Sequence, residues 1–433
     1  MQGRNQHSNI LLNIISRVAT TALAVAVVFA LTVFLAQSAQ AQTFRVLHSF
    51  TGGGDGATPA AGLTMDQAGN LYGTASAGAQ GGGTVFRLSK RGSNWTFTPL
   101  YAFPSTETHG WQPLEGVVIA ANGTLYGTTS SGGSPGNGTA FNLAPGASIP
   151  KSVFGGWSET VLYNFLAGND GAYPGSGGGN LVLDRSGDIY GTTYYGGGED
   201  CDGMGCGTVF ELTPSEGGWQ EKILYAFTGG SDGGGPAGLA FDSNGNLYGA
   251  TLLGGVGNCQ NPFGFGCGVI FKLTPSASGW TESVVYAFQD DGDGAQPIGA
   301  PIFDASGNLY GTTSMIWEGM GQDSTAFELT PSGNGWTFNL IWTFTDGGFG
   351  PNGSLVMDVA GNLYGATPAG GGAVFELTRS SGGWQYTSLH HFVPGTDGSH
   401  PVGNITFDAN GNIYGTAMVN GPDGHGTVWE ITP

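Results

Sequence analysis

The octapeptide Asp66-Gln67-Ala68-Gly69-Asn70-Leu71-Tyr72-Gly73 returns in variant form with its Tyr at 126, 190, 248, 310, 364 and 414. Seven copies at such spacing mark a repeat protein. The residue types describe a tight β-hairpin. Gly stands three before each Tyr, at 69, 123, 187, 245, 307, 361 and 411. It suits the left-handed corner of a type I turn with a G1 bulge, where a Cβ would clash. Asp stands six before the Tyr at 66, 184, 242, 304, 358 and 408, placed to cap the turn's N–H groups, with Ala120 the exception. A Gly follows every Tyr, which inside a strand signals close approach by a neighbouring backbone or aromatic ring.

Two further strands flank each hairpin. After a glycine-rich loop comes Thr84-Val85-Phe86, matched by 139–141, 208–210, 269–271, 325–327, 373–375 and 427–429. Next comes a strand that separates Trp from Phe by eight residues, as in Trp95 to Phe103 and Trp157 to Phe165. The even spacing predicts both rings on one face of that strand, together with the aromatic two before the Phe (Tyr101, Tyr163, Tyr225, Tyr286, Trp342, His390). Four strands per 50 to 64 residues is the size of a propeller blade. Gln42 to Phe50 is an orphan strand of the last type, and the chain stops just after the seventh Thr-Val-Phe-type strand. The expected fold is therefore all-β: a seven-bladed β-propeller of four-stranded blades, in which the N-terminal strand completes the last blade and leaves no free edge.

Residues 1–41 read as a signal peptide. Arg4 and Arg17 lie in a polar leader, Val18 to Ala36 is apolar, and Ala39-Gln40-Ala41 is a small-x-small cleavage site, with an uncleaved anchor as the alternative. Residues 42–433 then form one propeller domain, secreted, periplasmic or held at the cell surface. Without Arg4 and Arg17 the chain keeps 9 Lys+Arg against 31 Asp+Glu, a formal charge of −22. Nucleic acid and anionic lipid both require a basic face and are excluded as partners. A monomer with no membrane contact after cleavage is expected. Cys201/Cys206 and Cys259/Cys267 lie in equivalent loops of successive repeats. Two loop-stapling disulfides are the simplest reading in an exported chain, with cross-pairing or a Cys₄ zinc site as alternatives.

Each repeat carries a Pro before its hairpin (59, 113, 174, 236, 297, 351, 401), preceded by Asp-Gly at 55, 170, 232, 293 and 397. Together, Asp-Gly-x-x-Pro, Gly-Asn-Leu-Tyr-Gly-Thr and Gly-Thr-Val-Phe-Glu-Leu-Thr-Pro resemble the Gloeo/Verruco tandem repeat of choice-of-anchor GloVer proteins. The resemblance spans essentially all of 43–433, and the hairpin half is also similar to NHL-type propeller repeats. It implies an exported protein, often with a C-terminal surface anchor. No such tail follows Pro433 in this sequence, which favours a released or periplasmic product.

Propeller topology places the Asp-Gly loops and the Cys-bearing loops on one face. The candidate ligand-binding residues are Asp55, His109, Trp111, Asp170, Asp232, Asp293, Trp317 and Asp397. His109 stands where the second repeat lacks its Asp, and Tyr194 and Tyr195 add loop aromatics. Ringed carboxylates beside aromatics suit carbohydrate or a protein partner, with a calcium ion at the acidic loops as the one cofactor considered. The alternative is that each Asp simply caps its turn. An EF-type loop from Asp290 fails, since its twelfth position is Pro301. No metal motif joins His109, His400 and His425, and no nucleophile elbow, His-Glu-x-x-His or phosphate loop occurs. The expected function is a binding or interaction module. Alternatives are a polysaccharide hydrolase or lyase using rim carboxylates, and a structural surface protein.

Overall fold

A computed structural model describes residues 42–106, 108–145, 156–257, 259–261, 264–314, 324–333, 335–345 and 350–433. The signal-peptide reading of 1–41 and the candidate Trp317 lie outside these residues. Within the compact unit Phe44–Thr432, seven four-stranded antiparallel sheets form a seven-bladed propeller. The only helix among the described residues is the short 3-10 turn Ala369–Gly371. Blade 1 runs Thr64–Met65, Leu71–Ala75, Gly81–Arg91 and Asn94–Pro104 from the axis outward. Blades 2 to 6 repeat that order. Blade 7 takes Ser399–Phe407, Ile413–Val419 and Thr427–Thr432, and its outer strand is Thr43–Ser49. The two ends of the unit thus share one sheet, as the strand census predicts.

The hairpins form as their residue types require. Asp66 Oδ1 accepts from the N–H groups of Ala68 (2.9 Å) and Asn70 (2.8 Å), and Gly69 takes φ +79° at the corner. A Cβ on Gly73 would lie 2.6 Å from Phe86 Cζ, and the same glycine–ring contact recurs at Gly127, Gly191, Gly249, Gly311, Gly365 and Gly415. The glycine column is therefore the imprint of the Phe column one strand away.

The outer strand departs from the simple alternation. Trp95 packs with Phe86 and Tyr414 against blade 7, whereas Tyr101 and Phe103 pack with Phe141 against blade 2. Trp and Phe thus lie on opposite faces, not one. The cause is a bulge: Val85 pairs with Tyr101 but Phe86 with Pro99, so one extra outer residue inverts the parity. The register shifts at the matching place in blades 2 to 6. Each outer strand consequently grips both neighbours. Its Trp meets the hairpin Tyr of the preceding blade, as in Trp95–Tyr414 at 5.6 Å and Trp219–Tyr126 at 5.8 Å.

Around the axis the blades meet backbone to backbone. A Cβ on Gly62 would land on the Asn404 carbonyl, one on Gly238 would lie 2.6 Å from Ala300 N, and one on Gly299 2.6 Å from Ser354 N. Side chains of the second strands stitch the same seams. Thr74 Oγ1 donates to Glu115 O (2.8 Å), Thr416 Oγ1 to Ala61 O (2.7 Å) and Thr312 Oγ1 to Gly353 O (3.3 Å).

Two stability measurements test this construction. Gly62→Ala is expected to lose at least ~3 kcal/mol in urea unfolding, because the obstacle is backbone that cannot move without opening a seam. Gly69→Ala, with open space around its Cβ, is expected to lose only about 1–2 kcal/mol from its left-handed backbone. Equal losses would refute the axial packing as the dominant constraint. Removing Thr43–Phe50 strips the outer strand from blade 7, and the truncated chain should unfold at markedly lower urea than the full one.

Candidate functional site

The loop face is built from the turns that follow the outer strands. In five of them, the Asp-Gly carboxylate gathers its own turn and the aromatic or His upstream. Asp232 accepts from Tyr225 OH (3.0 Å), Thr228 N (2.9 Å) and Thr228 Oγ1 (2.5 Å). Asp293 accepts from Tyr286 OH and the N–H groups of Gln289 and Asp290. Asp170 does so from Tyr163 OH, Leu166 N and Gly171 N. Asp55 and Asp397 take His48 and His390 in place of Tyr, at 3.1 and 2.9 Å. Asp232, Asp293 and Asp397 are buried. Bonds to Thr51 hold Asp55 below the ordinary carboxylate range despite partial burial.

His109 occupies the Asp position of blade 2 and recruits a substitute carboxylate. Its Nδ1 lies 3.2 Å from Glu159 Oε2, which also accepts from Tyr101 OH at 3.4 Å. Trp111 does not join the axis. It lines a separate groove of about 490 Å³ with Ser105, Thr106 and the 132–136 loop. Both Cys pairs form disulfides, Cys201–Cys206 and Cys259–Cys267, and the first packs against Gly229 in the neighbouring turn. Among the described residues, no group of three or more His, Cys, Asp or Glu is arranged to hold a metal ion.

The residue before the axial Pro is left-handed in six of the seven blades. Thr58, Gln112, Tyr173, Gln296 and His400 have φ between +54° and +59°, and Gly235 has +59°. Such a backbone is disfavoured twice, by the Cβ and by the following proline ring. Cross-blade bonds hold it: Thr58 N donates to His425 O (3.0 Å), Gln112 N to Gly82 O (2.9 Å), Tyr173 N to Asn137 O (2.8 Å) and Gln296 N to Cys267 O (2.7 Å). Side chains of differing chemistry thereby stand at the same place in successive blades, with Gln112, Tyr173 and His400 exposed. Strain of this kind gathers at ligand-binding sites.

Beyond these residues lies an axial recess of about 260 Å³. Its walls include Glu115, Asn180, Asn352, Asn404, Leu252 and Ile298. Glu115 is 4 % exposed and accepts from Thr128 Oγ1 at 3.0 Å. Burial pushes its carboxyl up to about 8, so at neutral pH it is largely protonated and can donate as well as accept. Asn180 Oδ1 accepts from Gly116 N (3.0 Å) and Asn404 Oδ1 from Ser354 N (2.7 Å). The amide nitrogens of both, and the Asn352 side chain, have no partner among the described residues. Tyr194 packs on Leu252 and Ile298, then meets Tyr195 at 4.7 Å, which meets the exposed Tyr173 at 5.7 Å. An aromatic file thus leads from the loop surface to the recess wall.

Reading the repeat for its agreements overlooked Glu115, the three Asn and Tyr173. The signal was present in the spacing. Pro174 to Asp184 spans ten positions and Pro236 to Asp242 six, where the other five repeats take seven. The three extra residues of blade 3 fall within Gly175-Ser176-Gly177-Gly178-Gly179, which lines the axial recess.

The family model described as the Gloeobacter/Verrucomicrobia repeat matches residues 27–202, 93–264 and 257–433. No curated protein sequence matches the chain. Solved structures are similar to it at low identity. An extracellular domain assigned to a hybrid two-component system of B. thetaiotaomicron is 11 % identical with a TM-score of 0.51, over 89 % of this chain and 39 % of that one. A puromycin-hydrolyzing peptidase of Mycobacterium tuberculosis is 12 % identical with a TM-score of 0.49, over 86 % and 52 %. A protein assigned as a 6-phosphogluconolactonase of Bacteroides uniformis is 14 % identical with a TM-score of 0.47, over 83 % and 94 %.

A pH dependence follows from the outer strands. Glu159, Glu221 and Glu282 each stand two after the Trp of their strand, and each has a buried Oε1 with no partner. Burial raises Glu221 and Glu282 to about 7, with Asp170 and Asp232 adding repulsion. It raises Glu159 too, against the pull of His109. A carboxyl with a raised folded pKa binds more protons folded than unfolded, so stability falls as pH climbs from the unfolded value toward the folded one. The melting temperature should therefore drop from pH 5 to pH 7.5. Replacing all three by Gln should reduce that slope in a calorimetric pH series, leaving the share that buried Glu115 contributes.

Proposed function

We propose that this chain, which belongs to the Gloeobacter/Verrucomicrobia repeat family, is an exported binding propeller that takes carbohydrate on its loop face, at the mouth of the axial recess. The observation that carries the reading is the recess itself: one buried carboxyl and three amide side chains face a space of about 260 Å³, reached along the file of Tyr173, Tyr195 and Tyr194. Carboxyl and amide groups pair well with neutral hydroxyls, and aromatic rings supply flat apolar surface for the C–H faces of a sugar. The rim carboxylates position the loops in this scheme, and the strained residues before each Pro present the contacting side chains.

Export is supported by the two disulfides, which persist in oxidising compartments. No helix among the described residues is long and apolar enough to cross a membrane. A hydrolytic reading needs a second ionisable group opposite the first. Glu115 is the one titratable side chain lining the recess among the described residues, so the geometry favours binding over turnover.

A glycan array probed with the purified 42–433 chain should give discrete signals that survive EDTA. Tyr173→Ala should weaken the strongest of them about tenfold, ~1.4 kcal/mol, in a titration, with the melting temperature unchanged. A blank array, or affinity indifferent to Tyr173, would refute the assignment.

A further inference from the structure

The link in blade 3 between Pro174 and the hairpin is the longest of the seven, ten positions to Asp184. A Cβ built on Gly178 would lie 3.6 Å from Ile298 Cδ1 of blade 5 and 4.0 Å from Asn352 Oδ1 of blade 6. The link therefore reaches past its neighbour, blade 4, toward blades 5 and 6. Gly175, at its start, lies so close to blade 2 that a Cβ would sit 2.7 Å from Glu115 Cγ and 3.1 Å from Thr128 Oγ1. A Cβ on Gly177 would strike the Pro236 carbonyl, and one on Gly179 the Gly238 backbone. Four glycines in five residues are needed because the segment passes through space already walled by Glu115, Pro236, Gly238 and Ile298.

From this geometry we infer that the axial recess is a chain-end subsite: it admits the terminal sugar residue of a glycan and excludes internal segments of a continuous chain. This inference rests on the carbohydrate reading above. A propeller axis left open would let a polymer lie across or thread through it. Here the glycine link occupies the axis, so a ligand enters from the loop face and stops. The volume of about 260 Å³ lies just under the roughly 300–1,000 Å³ usual for small-molecule pockets, so it is small for more than one sugar ring. The hydrogen-bonding groups are distributed around the space rather than along one side. Glu115 comes from blade 2, Asn180 from blade 3, Asn352 from blade 6 and Asn404 from blade 7. A ring met from several blades at once has its hydroxyls satisfied around its perimeter, which leaves one direction for the rest of the chain, outward past Tyr195 and Tyr173.

Asn352 gives the cleanest handle. Its side chain has no partner among the described residues, so its replacement disturbs no hydrogen bond among them, unlike that of Asn180 or Asn404. The probe is an array of immobilised oligosaccharides attached through their reducing ends, grouped in sets that share an internal disaccharide but differ in the terminal residue. Wild-type signal should follow the terminal residue, with at least a tenfold difference between the best and worst terminus on one internal sequence. Asn352→Ala should lower the signal several-fold. Asn352→Phe, which fills the recess, should abolish it, and a calorimetric melting temperature within a few degrees of wild type would show that the fold is kept. Signal that follows an internal disaccharide whatever residue caps it would overturn the chain-end subsite. So would full binding by Asn352→Phe. If Tyr173→Ala then still weakens binding, the loop-face reading survives and only the chain-end inference is lost. Absence of signal on every glycan overturns both.

Discussion

Contact between inner strands at the axis is the constraint from which the rest of this molecule follows. Seven strands brought around one axis must approach closer than side chains allow, and the chain meets that demand with glycine. Gly62, Gly238, Gly353 and Gly403 each face a neighbouring blade's backbone where a Cβ would collide. Threonine hydroxyls of the second strands then satisfy carbonyls that the seams would leave unpaired. With its inner edge set by such short contacts, each blade is held at one spacing, and the larger side chains farther out have to fill whatever gap results. They do so with Phe columns between the sheets and with Trp–Tyr pairs between blades.

The same closure explains the strain on the loop face. The chain must leave an outer strand, cross the blade and enter the next inner strand at the proline. The residue before that proline is forced left-handed in six blades. In five of them a bond from its N–H to a carbonyl of the preceding blade's loop keeps it there, and the Asp of each Asp-Gly turn holds the preceding corner. A rigid scaffold thus offers positions at which Gln112, Tyr173 and His400 stand exposed, while Gln296 is buried. Those positions carry Thr, Gln, Tyr, Gly, Gln and His, which is the variability expected where contact with a ligand, not packing, sets the residue.

Departures from the repeat concentrate in blades 2 and 3. Blade 2 exchanges the turn Asp for His109 and answers it with Glu159, and it also carries Glu115. Blade 3 adds the glycine link. At the outer seams, four interfaces stack an aromatic on an aromatic, as Phe97 does on His48 at 3.8 Å and Tyr386 on Trp342 at 5.4 Å. The three interfaces that use Glu159, Glu221 and Glu282 instead leave a buried carboxylate oxygen unpartnered. An unsatisfied buried acceptor costs about 1–3 kcal/mol. That cost makes these seams sensitive to protonation while the aromatic seams are not.

Seven blades, the ring closure by Thr43–Ser49, the turn geometry at Asp66–Gly69 and the ring contact at Gly73 were all legible in the chain. Each depends on residues close in sequence or on a period that repeats, and local sterics leave few alternatives. The disulfides were legible for the same reason, being short loops. Parity along the outer strand was not: the bulge between Tyr101 and Pro99 arises because one strand must serve two neighbours, and alternation cannot reveal an extra residue that only pairing registers. The recess was hidden for a related reason. Glu115, Asn180, Asn352 and Asn404 are each unremarkable within their own repeat, and they become one site only when closure of the ring brings blades 2, 3, 6 and 7 to a common axis.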